Sequence, residues 1–143
     1  MIRGYFDLTR GMLRPFVDAA LVFPALARRR VDVRLLINTG ADRTVLSPGD
    51  ALPIASLLGS LPPGPALRGV GGTTTTRRAD VVITMATFSA NLTLTIFSPS
   101  LGARSMPSVL GRDVLSHFAL VVEERTDRVL LLTPDEADRV NWP

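Results

Sequence analysis

The residues that could do chemistry are few and close together. Leu35-Leu36-Ile37 runs directly into Asn38-Thr39-Gly40-Ala41-Asp42, and a second apolar pair, Val45-Leu46, follows. A hydrophobic strand that stops this way holds residue 38 at a strand end, where a side chain can be exposed at a site. Gly40 permits a sharp turn with close backbone approach, and the Thr39 hydroxyl can hydrogen-bond across to a neighbouring backbone. Farther on, Gly69-Val70-Gly71-Gly72 precedes Thr73 to Thr76. Read alone, this stretch is an ordinary hairpin turn, since glycines supply the positive φ of tight hairpins. It half-resembles a phosphate-binding loop, but no Lys follows and no helical pattern opens after it, so nucleotide binding is not expected. His117, the one histidine, lies in Leu115-Ser116-His117-Phe118 and reads as a structural or surface residue after a short helix.

Composition removes most other chemistries. With no Cys and one His in 143 residues, there is no thiolate nucleophile, no disulfide framework and no His-rich or thiolate metal cluster. No cofactor and no metal are expected. All 16 basic residues are Arg, against 13 acids, for a net charge of +3. The isoelectric point near 10.9 overstates that balance. Almost nothing titrates between His and Arg, so a small Arg excess carries the neutral point far upward. Arg28-Arg29-Arg30 and Arg77-Arg78 read as solvated turn or edge-strand residues, and no nucleic-acid partner is expected. No apolar run approaches the roughly 18 residues of a membrane span. The start of the chain lacks the apolar core of a secretory signal, so no membrane partner and a cytoplasmic location are expected.

The elements that must position these residues are mostly strands. Arg14 to Ala27 is strand material ending at Pro24, and Val31, Val33, Leu35 and Ile37 alternate with Asp32, Arg34, Leu36 and Asn38. Together they predict a hairpin. Ser47 to Pro65 holds Pro48, Pro53, Pro62, Pro63 and Pro65 and reads as a loop with one short helix, started by Ser47-Pro48-Gly49-Asp50. Strands follow at Val81 to Met85 and Asn91 to Phe97, and Val109-Leu110-Gly111 opens another element. Asp113 to Phe118 predicts one or two helical turns, and Ala119 to Val122 with Val129 to Leu132 a final hairpin. The expectation is one domain over 1–143. Its core is about 14–132, with an N-terminal arm 1–13, a C-terminal tail 133–143 and no internal duplication. The fold class is mostly β, with short strands in a closed or sandwiched sheet.

In this order the motifs resemble the retropepsin-like aspartic proteases, the single-domain enzymes of retroviral type, whose signature is a hydrophobic strand followed by Asp-Thr/Ser-Gly-Ala. Leu67-Arg68-Gly69-Val70-Gly71-Gly72-Thr73 is similar to the flap that closes over substrate. Val109-Leu110-Gly111-Arg112-Asp113-Val114-Leu115 is similar to the family's hydrophobic-hydrophobic-Gly segment with its following Arg and short helix. The resemblance spans about Arg14 to Leu132. It implies a β-barrel of the retropepsin type with one or two short helices. The catalytic loop it implies is Asn38, Thr39 and Gly40, with Ala41, Asp42, Val45, Gly69, Val70, Gly71 and Gly72 touching substrate. Asp42, Gly111 and Arg112 support the site, with an Asp42–Arg112 ion pair beneath it.

The departure lies at position 38, where the family carries Asp and this chain carries Asn. The family's reaction needs two carboxyls sharing one proton, because like charges about 3 Å apart cannot both ionise. One takes a proton from the attacking water while the other polarises the peptide carbonyl. An Asn amide is nearly isosteric but cannot exchange that proton, so this chain is expected to bind peptide and leave it uncut. The intact surroundings favour an inactivating Asp-to-Asn change; the alternative is a natural pseudo-protease serving as a peptide-binding or dimerisation module. One such triplet per chain predicts a homodimer, with the two Asn38 side chains facing each other across a two-fold axis.

Overall fold

The structure, a computed structural model, describes residues 1–69, 72–98 and 106–143. The expected first hairpin is its spine. Strands β3 (Met12–Phe23) and β4 (Arg29–Ile37) pair antiparallel from Phe16↔Leu36 to Phe23↔Arg29. Pro24 ends β3 by opening a 3₁₀ turn, Pro24–Leu26, and Ala27 and Arg28 then take φ of 52° and 58° to reverse the chain. Alternation decides the faces: Val17, Ala19, Leu21 and Phe23 point inward against Val31, Val33, Leu35 and Ile37.

The second half closes the sheet. β8 (Thr76–Met85) and β9 (Phe88–Phe97) form a hairpin of two ten-residue strands, and β8 also pairs with β3 through Ala20↔Thr84, Leu21↔Ile83 and Val22↔Val82. Two parallel junctions complete the ring. β10 (Ser108–Leu110) lies beside β4, and β5 (Val45–Leu46) beside β9, with β5 and β10 touching at Val45↔Val109. The barrel order is therefore β3-β4-β10-β5-β9-β8 and back to β3. Leu21, Phe23, Leu35, Leu46, Ile83, Met85, Leu94, Ile96 and Leu110 fill it, all nearly fully buried. The Pro-rich stretch after β5 is a 3₁₀ helix, Leu52–Ser60, that seals one side with Ile54 and Leu58.

The chain ends are also folded. β1 (Ile2–Arg3) joins β12 (Arg128–Leu132), which pairs with β11 (Ala119–Glu123), in a three-stranded sheet whose Ile2, Val129 and Leu131 enter the main core. β2 (Tyr5–Thr9) forms a hairpin with the start of β3 around Arg10-Gly11. Tyr5 Oη donates to Asp18 Oδ1 at 2.5 Å, and partial burial with that carboxylate pushes the phenol up to about 12. After β12, Thr133 and Glu136 make a capping box on helix α2 (Pro134–Asp138). Glu136 also binds the amino-terminal ammonium at 2.7 Å. That bond and the Thr133 N–H hold its carboxyl down at about 2.

Candidate active site

β4 is clamped on both sides, antiparallel to β3 and parallel to β10. Its last residues Leu35, Leu36 and Ile37 are buried, and the chain then turns outward, leaving Asn38, Thr39 and Gly40 exposed. Asn38 N–H continues the ladder to Leu110 O at 3.1 Å, and Ala41 N–H closes a turn onto Asn38 O at 3.2 Å. The Gly40 N–H donates to Asn38 Oδ1 at 2.9 Å. This bond fixes the side-chain carbonyl and turns the NH₂ end toward solvent. Gly40 serves by closeness rather than by torsion: its φ is not left-handed, but a Cβ there would meet Asn38 Oδ1 at 3.2 Å. Thr39 stands exposed beside Asn38 at the start of the turn.

What holds the loop from behind is a contact between buried Thr44 and half-buried Asp113. Helix α1 (Arg112–Leu115) follows Gly111, and its Asp113 carboxylate accepts from Thr44 N at 2.9 Å and Thr44 Oγ1 at 2.8 Å. Thr44 is fully buried, and its hydroxyl oxygen accepts the Gly111 N–H at 3.1 Å. The helix start is stitched on by Arg112 N–H to Ala41 O at 2.8 Å and Asp113 N–H to Asp42 O at 3.2 Å. Gly111 is obligatory here, since a Cβ would lie 2.5 Å from the Arg43 carbonyl carbon. The Asp42–Arg112 pair exists, but at 3.8 Å with the side chains 89% and 68% exposed. It is a loose surface pair, screened by water. Thr44 and Asp113, which the sequence did not single out, make the shorter contacts beside it.

Ala41 and Val45 are half-buried around the loop, and Asp42, Leu92, Thr93 and Asp113 line an open groove of about 480 Å³ beside it. β6 (Leu67–Gly69) and β7 (Gly72–Thr74) pair Gly69↔Gly72 in a ribbon of their own, separate from the barrel sheet. Val70 and Gly71, expected at its tip, lie outside the described residues. His117 is exposed with its ring 5.6 Å from that of Phe88. Among the described residues, no group of three or more His, Asp and Glu is placed to hold a metal ion.

No protein-family model matches the sequence, and no curated protein matches it either. Solved structures do. A retropepsin-like aspartic protease from Rickettsia conorii superposes with a TM-score of 0.57 at 16% identity, over 80% of this chain and 88% of that one. The chain has a retropepsin-like fold. Two further structures overlap less well. EIAV protease complexed with the inhibitor HBY-793 gives 0.49 at 19% identity over 77% of this chain and 92% of that one. The retroviral protease-like domain of Ddi1 from Leishmania major gives 0.46 at 13% identity over 91% and 99%. On the retropepsin-like fold, the Asn38 loop stands at the end of a central barrel strand, backed by the Gly111 segment. No helix is long and apolar enough to cross a membrane among the described residues.

Proposed function

We propose that this chain is one half of a homodimeric aspartic peptidase, and that Asn38 stands where its catalytic carboxyl belongs. The observation that carries the reading is the Asn38 side chain itself. It is exposed at the end of a buried strand, and its side-chain oxygen accepts the Gly40 N–H at 2.9 Å. With Asp at this position, the inner oxygen would accept that N–H, which favours the charged form, and the outer oxygen would face a partner. Two such groups across a two-fold axis make a pair that shares one proton. One carboxylate removes a proton from water as the protonated partner polarises the scissile carbonyl, and the proton shifts as the amine leaves.

Extended peptide is the substrate class this reading requires, held between two Asn38 loops and two Gly69–Gly72 ribbons acting as flaps. Half-buried Ala41 and Val45 favour apolar side chains near the cut. No metal or cofactor enters the reaction, and the reading places it in the cytoplasm. As it stands, with an amide at position 38, the chain binds peptide without hydrolysis. The same amide favours a second reading, a pseudo-protease whose work ends at peptide binding. The Asn38→Asp variant separates them. Incubated with an apolar peptide library at mildly acid pH, it cleaves under the first reading. A folded, dimeric variant that leaves every peptide intact would rule that reading out.

A further inference from the structure

The groove beside the Asn38 loop holds an arginine whose charge is unanswered among the described residues. The groove measures about 480 Å³ and is lined by Asp42, Arg43, Asn91, Leu92, Thr93 and Asp113. Its carboxylates both have partners. Asp42 pairs with Arg112 at 3.8 Å, and Asp113 gives one oxygen to the Thr44 N–H and the other to the Thr44 hydroxyl. Arg43 is exposed. It takes part in no ion pair among the described residues, which include all 13 acids of the chain. The Thr93 hydroxyl is taken by Asp80 Oδ1 at 3.0 Å. That leaves the Arg43 guanidinium and the Asn91 amide as side-chain donors around half-buried Leu92.

The distance from Asn38 says which part of a bound peptide this arginine reaches. The bond from Ala41 N–H to Asn38 O closes a turn, so those two Cα atoms lie within about 7 Å. Two further residues add at most about 7 Å. Arg43 therefore stands no more than about 14 Å from Asn38, which is three or four residues of extended peptide at about 3.3 Å each.

We propose that Arg43 selects peptides carrying a carboxylate side chain, Glu or Asp, three or four residues from the bond held at Asn38. The inference rests on the peptide-binding reading above and names its substrate class more closely: apolar at the centre, acidic farther out. The guanidinium presents a planar fork of N–H donors that matches both oxygens of a carboxylate, and the Asn91 amide offers another donor on the same groove. A docked peptide displaces water there, which strengthens a charge pair that open solvent would screen.

The test uses the chain with Asn38 in place, which on the proposed reading binds peptide without cutting it. Fluorescence anisotropy compares two labelled peptides with the same apolar centre, one carrying Glu and the other Gln at the third and fourth positions on each side. At low salt the Glu peptide should bind about fivefold tighter, and the advantage should fade as salt is raised. Arg43→Gln should remove the difference, and Arg43→Glu should turn the preference toward a Lys peptide. Arg43 faces solvent, so both variants should melt like the parent. Equal binding of the Glu and Gln peptides by the parent overturns the selection and leaves the peptide-binding reading standing. A Glu preference that survives Arg43→Glu also overturns it, because another cation then does the selecting. A parent chain that binds neither peptide overturns both.

Discussion

At the scale of single residues, the loop is held by contacts the expected ion pair does not make. Thr44→Val removes a buried hydroxyl that donates to Asp113 and accepts from Gly111. It should destabilise the fold by about 1–3 kcal/mol, because a buried N–H and a carboxylate lose their partner. Asp42→Ala, at a pair 89% exposed on the Asp side, should change melting little. Chemical denaturation of the two variants checks both; equal losses would return the support to Asp42. The single tyrosine offers a second probe. Burial and the Asp18 carboxylate push Tyr5 up to about 12, so phenolate absorbance should appear with a midpoint near there. In Asp18→Asn the midpoint should fall toward 10. The phenol's bias to the neutral form stabilises the fold fully below about pH 10 and is lost as pH rises through about 12. Asn38 to Asp42 was legible in the sequence because its pattern is local. Thr44 and Asp113 were not, because their bond joins residues 69 positions apart and neither residue type is unusual where it stands.

At the scale of elements, period-two alternation revealed β4 and the β8–β9 pair, and turn residues revealed the first and last hairpins. Thr73 and Thr74 end β7 and Thr76 starts β8, with Thr75 between them. Threonine suits strands whichever face it occupies. The two-residue β5 and three-residue β10 close the barrel through parallel pairing, and strands so short carry no period to read. Nor did the sequence show that Ile2–Arg3 would complete a sheet with β12, a pairing that links opposite ends of the chain. The capping box that follows β12 has a pH signature. Glu136 is held at about 2, against 4.5 when free. Its contribution is present above about pH 4.5 and is lost as pH falls through about 2. The melting temperature of Glu136→Gln should therefore lie below the parent's at pH 7 and converge with it near pH 2. A gap constant across that range would show that the amino-terminal bond adds nothing.

At the scale of the whole molecule, the proposed reading makes one chain half of a site. The loop at position 38 is built from one strand end and one supporting segment, Gly111 to Leu115, and the sequence holds no second copy of either. On the proposed reading, the proton-sharing pair then comes from two chains. The most direct measurement mixes the Asn38→Asp chain with the Asn38 chain at fixed total concentration and follows cleavage of an apolar peptide. Half-sites that must pair give a rate that follows the square of the active fraction. An equal mixture should then retain about one quarter of the full rate, since only dimers with two carboxyls cut. A rate that retains about one half in that mixture, as independent chains would give, would contradict the account. So would an Asn38→Asp chain that cleaves nothing.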